Sequence, residues 1–187
     1  MDWMSQPGAD LWRTRLHPES LDILLAKGYE RGLPSAIEAL YSHQSAHWIE
    51  LKASLQAFRG VLLRPVPVSG REVLLQFNPA RLASATAPVS AEAIKARPCF
   101  LCPPNMPSGQ RFFPFGPGLA AVVNPFPIFR RHIVVLSMQH RPQTVAGTLG
   151  PMIDFSRASG FCTLYNGPGS GASAPDHFHF QAGPVGS

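Results

Sequence analysis

The segment His177-Phe178-His179-Phe180-Gln181 constrains the fold more than any other part of the chain. Side chains on a β-strand alternate between the two faces of a sheet, so His177, His179 and Gln181 share one face. Phe178 and Phe180 then share the other face. We expect the phenylalanines to lie in a hydrophobic core and the three nitrogen-bearing side chains to face a functional site. The alternative is that these three side chains form the solvated outer face of an edge strand.

The rest of the chain predicts helices followed by short strands. Apolar side chains recur at helical spacing over residues 35–60, and Ser35 and Glu38 have the spacing of a capping box, which predicts one helix from residue 35. The order of elements predicts an α+β fold with an antiparallel sheet and one crossover helix. In it, residues 1–60 form an N-terminal helical segment that packs on the core, and residues 61–187 form the main domain. The predicted strands are 61–68, 72–77, 119–123, 132–136, 161–165 and 177–181.

Composition and charge narrow the class of protein. Twenty prolines and sixteen glycines favour short elements, and a hydrophobic content of 45% is sufficient for a core. No apolar run approaches the roughly 18 residues that a membrane helix needs, and the first residues lack the pattern of a secretory signal. We therefore expect a cytoplasmic protein with no membrane partner. The net charge of +5 comes from scattered cations, which fits a small anionic ligand better than a nucleic acid.

Cys99 and Cys102 form a C-x-x-C pair that predicts a metal site. Two thiolates at this spacing can bind one zinc ion, because the intervening turn points both sulfur atoms inward. Tetrahedral zinc needs two further ligands, for which His140 and His177 are the candidates. Four protein ligands leave no open position, so this zinc would be structural. The alternative is a redox pair, although the proline-rich surroundings lack the strand-to-helix context of a thioredoxin-like site.

If His177 binds zinc, His179 is left free on the same face of the strand. An imidazole with an ordinary pKa of about 6.5 is largely neutral at pH 7, so it can act as a nucleophile without a separate base. The glycine-rich segment 166–173 lies directly upstream, and its exposed backbone N–H groups can bind phosphate oxygens. A plain turn between two strands is the alternative for this segment.

Three stretches of sequence together resemble one known superfamily. Asn166-Gly-Pro-Gly-Ser-Gly-Ala-Ser-Ala-Pro-Asp-His-Phe-His-Phe-Gln181 ends in His-x-His-x-Gln, which is similar to the signature of the transferase branch of the histidine-triad superfamily. The hydrolase branch has a third histidine there. Residues 124–140 resemble the hairpin of that superfamily, and the four candidate metal ligands resemble the zinc site of the uridylyltransferases. Residues 76–102 look closest to a group of uncharacterised bacterial relatives of these enzymes.

The resemblance implies a histidine-triad-like (HIT-like) fold and a nucleotidyltransferase or phosphorylase activity. The branch includes galactose-1-phosphate uridylyltransferase, diadenosine tetraphosphate phosphorylase and GDP-L-galactose phosphorylase. By this resemblance the substrate is a nucleotide-sugar or a dinucleoside polyphosphate, and the second substrate is a phosphate acceptor. Members of the superfamily often pair, so the resemblance also allows a homodimer.

The resemblance also implies roles for individual residues. His179 would be the nucleophile that forms a covalent nucleotidyl-histidine, and Gln181 would donate its amide to a phosphate oxygen. Asn124 would lie at the ribose, beside a base pocket that includes Phe126. We also expect Arg81 to attract phosphates. The full set of expected nucleotide- and phosphate-binding residues is Asn124, Asn166, Gly171, Ser173 and Arg81.

Two features depart from these transferases. Asp176 stands directly before His177, where we expect it to alter the start of the strand or to repel a phosphate. The chain ends six residues after Gln181, whereas these transferases continue well beyond it, so we expect either a family member that is shortened at its C-terminal end or a fragment that lacks part of its acceptor site. Two other functions fit the same motifs. One is a nucleotide-binding HIT-like module without turnover, and the other is a zinc-dependent interaction protein without a small-molecule site.

Overall fold

The computed structural model describes residues 3–5, 7–15, 17–81 and 88–184. These residues form six α-helices and two antiparallel sheets, which confirms the α+β class. The helices are α1 (Ala9–Trp12), α2 (Glu19–Glu30), α3 (Leu33–His47), α4 (Ile49–Phe58), α5 (Ala91–Ala96) and α6 (Leu149–Ser159). The strands are β1 (Leu62–Val68), β2 (Arg71–Phe77), β3 (Phe112–Phe115), β4 (Leu119–Val123), β5 (Ile133–Ser137), β6 (Phe161–Leu164) and β7 (His179–Pro184).

The larger sheet positions the candidate site. Its strand order is β3-β4-β5-β7-β6, and each neighbouring pair is antiparallel. β7 lies between β5 and β6 and pairs with both of them. Along the chain, α6 connects β5 to β6. In this register His179 lies opposite Leu136 and Gln181 lies opposite Leu164. The strand of the His-x-His-x-Gln motif is therefore inside the sheet, and the edge-strand alternative is wrong.

The main hydrophobic core lies between this sheet and the helices. Phe178 and Phe180 are fully buried in it, as the alternation of the motif predicts. Leu21 of α2, Ile37 of α3 and Phe155 of α6 belong to the same buried cluster. The N-terminal helices and the sheet thus share one core.

The opposite face of the sheet carries a second, smaller apolar cluster. Val122 and Val134 belong to it, whereas Val123 and Val135 belong to the main core, as alternation along a strand requires. Val134 lies opposite Gln181 in the register of β5 and β7. The polar side chains of the motif therefore stand next to an apolar floor.

The predicted single helix over residues 35–60 is wrong, because the chain breaks at Trp48. Trp48 has extended backbone angles (φ −107°, ψ 106°) between α3 and α4, and only 2% of it is exposed. Its ring packs so closely on Gly109 that a Cβ there would clash with it. The capping box at Ser35 is also wrong, since α3 begins at Leu33 and Pro34 occupies its first turn, a position that proline favours.

Three further differences concern the strands. β3 was not expected, because Pro114 lies within it and glycines surround it. The final strand begins at His179 and not at His177, since the chain bends at His177. The hairpin of β1 and β2 is close to its predicted bounds, and both of its faces are largely exposed; among the residues that the structure describes, the two strands pair only with each other. No helix in the described ranges combines the length and the apolarity that crossing a membrane requires.

Candidate functional site

The four predicted metal ligands converge at one point. Ligand atoms of Cys99, Cys102, His140 and His177 all lie within 4.8 Å of one another. Cys99 Sγ is 3.3 Å from His177 Nδ1, and Cys102 Sγ is 3.4 Å from His140 Nδ1. Tetrahedral zinc with bonds of about 2.3 Å to sulfur and about 2.05 Å to nitrogen holds these atoms about 3.6 Å apart. The donor set and its spacing therefore fit one metal ion.

A tight turn brings the two cysteines together. The Cys102 N–H donates to the Cys99 carbonyl oxygen at 3.1 Å, and Asn105 Nδ2 donates to the same oxygen at 2.9 Å. The buried guanidinium of Arg15 fastens the segment that follows by donating to three backbone carbonyl oxygens. These belong to Pro103, Met106 and Pro107. Hydrogen bonds within the turn and from Arg15 in the N-terminal part of the chain thus hold the turn in place.

The other nitrogen of each histidine faces an oxygen atom, at hydrogen-bond distance for His177 and at the longer distance of an electrostatic contact for His140. His177 Nε2 lies 2.8 Å from the Ser137 carbonyl oxygen, and His140 Nε2 lies 4.0 Å from a carboxylate oxygen of Asp176. Metal-bound histidines normally donate their second N–H to such oxygens, which fixes the tautomer and the ring orientation. Burial lowers the pKa of His177 to about 4, so its ring is neutral, as a ligand must be. Burial raises the pKa of the Cys99 thiol to about 12, so a thiolate there needs a cation beside it.

Asp176 is held in an ion pair, and the strand that follows it starts at His179, two residues later than predicted. Arg97 Nη2 lies 3.4 Å from Asp176 Oδ1 and donates at 3.0 Å to the carbonyl oxygen of Ser173. The guanidinium of Arg97 also lies over the ring of Phe100, 4.9 Å from its centre. Arg97 therefore joins the cysteine turn to the glycine-rich loop and compensates the charge of Asp176.

A cavity of about 330 Å³ opens beside the metal cluster, within the size range of ligand pockets. Phe100 and Leu101, which lie between the two cysteines, form part of its wall. Most of the side chains predicted for catalysis or nucleotide binding line this cavity, whereas Asn166 is not among its lining residues. The predicted residues that line it are His179, Gln181, Asn124, Gly171, Ser173 and Arg81.

His179 is buried at the wall of this cavity in a defined tautomer. Its Nδ1 lies 2.9 Å from the backbone oxygen of His177, so Nδ1 carries the proton and donates it. The lone pair is then on Nε2. Burial lowers the pKa of His179, which keeps the ring neutral at neutral pH. The imidazole thus meets the requirement for a nitrogen nucleophile that needs no separate base.

Gln181 and Asn166 form a hydrogen-bonded pair. Gln181 Nε2 donates to Asn166 Oδ1 at 3.1 Å, and Asn166 Nδ2 donates to the Ser170 carbonyl oxygen at 3.1 Å. Asn166 therefore connects the glycine-rich loop to the Gln181 amide. Gly171 in this loop has a φ of 83°, a left-handed conformation that favours glycine.

The loop after β4 forms another wall of the cavity. Asn124 Oδ1 accepts from the Phe126 N–H at 2.8 Å, an Asx turn that fixes the start of the loop. His132, which is fully buried, accepts from the Ile128 N–H at its Nδ1 at 3.3 Å. Burial, with a smaller contribution from the charge of Arg81, lowers the pKa of His132 to about 3.

Three side chains that follow one another along the chain fasten this loop from outside. Gln76, Asn78 and Arg81 donate to three consecutive carbonyl oxygens. The bonds are Gln76 Nε2 to Ile128 (2.9 Å), Asn78 Nδ2 to Pro127 (3.2 Å) and Arg81 Nη1 to Phe126 (2.7 Å). Arg81 therefore supports the cavity wall as well as lining the cavity.

Sequence reasoning missed three residues that hold the site in place: Arg15, Arg97 and Gln143. Arg97 has a weak signal in the sequence, because it lies two residues before Cys99. Arg15 acts on a segment about ninety positions away. The amide of Gln143 bonds to the backbone of His179 at a sequence separation of 36. Contacts of that kind leave no periodicity or spacing that a single sequence can show.

The fold and the site together define an α+β protein with a Cys₂His₂ metal-ligand set beside a largely apolar cavity. A family model described as "Domain of unknown function (DUF4922)" matches residues 40–184, which is more than half of the chain. The protein therefore belongs to the DUF4922 family. The matched range contains all four metal-ligand candidates and the residues that line the cavity. No curated protein and no solved structure matches the chain significantly.

Proposed function

We propose that this protein is a HIT-like nucleotidyltransferase or phosphorylase that transfers a nucleotidyl group through His179. The observation that carries the proposal is the division of roles between two histidines that stand two positions apart in the motif. His177 directs Nδ1 to the cysteines, whereas His179 lies at the cavity wall with its Nδ1 proton held and its Nε2 lone pair available. The resemblance of the His-x-His-x-Gln motif to the transferase branch supports the same assignment.

The reaction follows from the tautomer of His179. In the first step the Nε2 lone pair attacks the α-phosphorus of the nucleotide, the bond from phosphorus to the leaving oxygen breaks, and the leaving group departs with that electron pair. In the second step an oxygen of the acceptor phosphate attacks, the P–N bond breaks, and its electron pair returns to Nε2. The Nδ1 proton stays on His179 and is held by the His177 carbonyl oxygen. Turnover by this route is ping-pong.

The side chains around His179 can bind the two phosphate-bearing substrates. One N–H of the Gln181 amide is used by Asn166, which leaves the other to donate to a non-bridging phosphate oxygen. Gly171 and Ser173 line the same cavity and would hold the phosphates. Neutral donors of this kind stabilise developing negative charge in a site that excludes water.

The apolar part of the cavity suits a nucleobase. Phe100 and Phe126 line it and remain 40% and 48% exposed, so that each ring offers a face to a ligand. Val122 and Val134 form the floor. A planar base can stack on such rings without the cavity having to satisfy many polar groups. We therefore place the base against these rings and the α-phosphate next to His179.

We assign zinc to the metal site, because two thiolates and two imidazoles in tetrahedral spacing are typical zinc ligands. With four protein ligands the ion has a structural role, and it supplies no chemistry to the transfer itself. Cys99 and Cys102 anchor the turn beside the cavity, and His177 anchors the approach to β7. These residues hold the start of the motif strand against the cysteine turn.

The decisive experiment is a search for the covalent adduct. The purified protein is incubated with nucleotide-sugars and dinucleoside polyphosphates, with and without inorganic phosphate, and the peptide that contains His179 is analysed by mass spectrometry. We expect an acid-labile phosphoramidate on His179 that phosphate discharges and that His179→Ala abolishes. His43→Ala, which changes a histidine on α3 away from the cavity, is the matched control and should react as the wild type does.

The other two functions give different results in the same experiment. If nucleotides raise the thermal unfolding midpoint but form no adduct, the protein is a binding module without turnover, because a ligand that binds only the native state stabilises it. If nucleotides neither react nor stabilise the protein, the cavity does not bind them, and a zinc-dependent interaction protein is the better assignment. Normal turnover by His179→Ala would exclude the proposed mechanism.

A further inference from the structure

The sheet has a gap directly beside His179. β6 ends at Leu164, which lies opposite Gln181, so no β6 residue is paired with His179 two positions earlier on β7. The Ser137 N–H of β5 donates to the Phe178 carbonyl oxygen. Because consecutive residues of an antiparallel strand face opposite neighbours, the N–H and C=O of His179 face the β6 side. The backbone of His179 therefore needs partners that the sheet does not supply.

The side chain of Gln143 fills this gap. Its Oε1 accepts from the His179 N–H at 2.8 Å, and its Nε2 donates to the His179 carbonyl oxygen at 2.9 Å. The same Nε2 donates to the Asn166 carbonyl oxygen at 2.9 Å. Only 3% of Gln143 is exposed. The amide cannot be flipped, since both carbonyl oxygens require a donor and the His179 N–H requires an acceptor.

Through these bonds one side chain connects the two functional residues of the motif. Gln143 bonds to His179 directly. It also bonds to Asn166, whose own side chain accepts from Gln181. Within the described part of the chain, the His179 ring makes one hydrogen bond, from Nδ1 to the carbonyl oxygen of His177, so its position depends on where that backbone lies.

We propose that Gln143 is a positioning residue for the nucleophile. Its amide takes the place of a neighbouring strand, and it sets the relative placement of His179 and Gln181. This inference rests on the proposed function of His179. Because Gln143 is not among the residues that line the cavity, it acts on the reaction through His179 and does not add to nucleotide binding.

Two substitutions at Gln143 and one control test this role. Gln143→Met keeps the approximate volume and removes all three hydrogen bonds. Gln143→Glu keeps the side-chain shape but loses both donations, and its buried carboxylate repels the two carbonyl oxygens that Gln143 binds, so it does not hold the His179 backbone. The control is Gln44→Met, because Gln44 is also a buried glutamine whose Nε2 donates to a backbone carbonyl oxygen, that of Gly109, on another part of the fold.

The expected result separates chemistry from binding. At saturating nucleotide, the single-turnover rate of adduct formation on His179 should fall about 10- to 100-fold in Gln143→Met. The loss in Gln143→Glu should be of the same order, because the two carbonyl oxygens lose their donor in that variant too. Nucleotide affinity and zinc content should stay within about threefold of the wild-type values. Gln44→Met should lower thermal stability without lowering this rate. A wild-type rate in Gln143→Met, or an equal loss of rate in Gln44→Met, would overturn the assignment.

A second measurement keeps this inference distinct from the proposed function. Amide hydrogen exchange at His179, measured by NMR, should be slow in the wild type and faster by about tenfold or more in both Gln143 variants, and unchanged in Gln44→Met. If the wild type forms no adduct, the proposed function fails, and the exchange result alone then decides whether Gln143 holds the His179 backbone. Unchanged exchange in the Gln143 variants would overturn that role. Should Gln143→Met fail to fold, Gln143→Glu carries both measurements.

Discussion

The backbone oxygen of His177 accepts a hydrogen bond from Nδ1 of His179 at 2.9 Å, while the ring of His177 lies against the two cysteines. His177 thus contacts the metal cluster through its side chain and the proposed nucleophile through its main chain. Because a carbonyl oxygen can only accept, this contact decides which nitrogen of His179 carries the proton. Disturbance of the metal cluster therefore reaches His179 through a single residue.

Loss of one cysteine ligand should remove the metal and destabilise the protein. We expect about one zinc ion per chain in the wild type and far less in Cys99→Ser and Cys102→Ser, with a lower thermal unfolding midpoint in both. Elemental analysis and thermal denaturation measure these two effects. Cys162→Ser is the control, since Cys162 is exposed and outside the cluster. Undiminished zinc in both ligand variants would reject this site.

Asp176 should strengthen metal binding without being a ligand. Its carboxylate lies 4.0 Å from His140 Nε2, so Asp176→Asn removes a charged partner of that ring. We expect the affinity for zinc to fall about 10-fold, within the range for residues that support metal ligands. Competition with a chelator of known affinity measures the change. Asp154→Asn on α6 changes an exposed carboxylate and should leave the affinity as it is; equal affinities in the two variants would contradict the assigned role.

The buried His132 should make stability depend on pH. Its pKa is lowered to about 3 in the folded protein, so the unfolded chain binds a proton at this residue below about pH 6.5 while the folded protein does not. This part of the stability is present above about pH 6.5 and is lost as the pH falls toward 3. The wild type should lose about 2–3 kcal/mol more unfolding free energy than His132→Gln between pH 7 and pH 4.5.

Urea denaturation at several pH values tests this dependence. Metal release at low pH affects the wild type and the variant alike, so it cancels in their difference. His47→Gln, a substitution of an exposed histidine on α3, is the control against which the effect of His132→Gln is compared. Parallel curves for the wild type and His132→Gln would show that His132 does not titrate in this way.

Phe126 should contribute to base binding and not to phosphate binding. Stacking of a base on an aromatic ring is worth about 1–3 kcal/mol, so Phe126→Ala should weaken nucleotide binding about tenfold or more. Binding of inorganic pyrophosphate should not change, because it has no base. Isothermal titration calorimetry with both ligands measures the difference. Phe77→Ala removes another exposed phenylalanine, on β2, as a control; an equal loss for pyrophosphate would place Phe126 elsewhere in the site.

Local patterns in the sequence were sufficient for the buried face of the motif and for the candidate metal ligands, but not for the residue at which the strand starts. Alternation placed Phe178 and Phe180 in the core, since a strand has two faces whatever its neighbours are. The C-x-x-C spacing predicted that Cys99 and Cys102 share a site, because the turn between them is short. The histidine partners of the cysteines were also predicted correctly.

Features that depend on distant contacts were not predictable. The break between α3 and α4 arises because Trp48 packs on Gly109, sixty-one positions further along the chain. Helical spacing continues through such a break, so periodicity cannot reveal it. The role of Asn166 was equally unpredictable from the sequence. An asparagine that can bind a phosphate can also bind a neighbouring amide. Only the register of β6 and β7 brings Gln181 beside Asn166.

The bonds from Gln76, Asn78 and Arg81 make the exposed hairpin an extension of the cavity wall. A two-stranded hairpin is marginally stable in isolation, so these tethers restrain it at its base. A molecule seated against Phe126 would stiffen the loop and, through the tethers, damp the motion of the tip at Ser69 and Gly70. The fluorescence of an environment-sensitive dye attached at that tip would then report ligand binding in the cavity, even when the protein does not turn over a substrate.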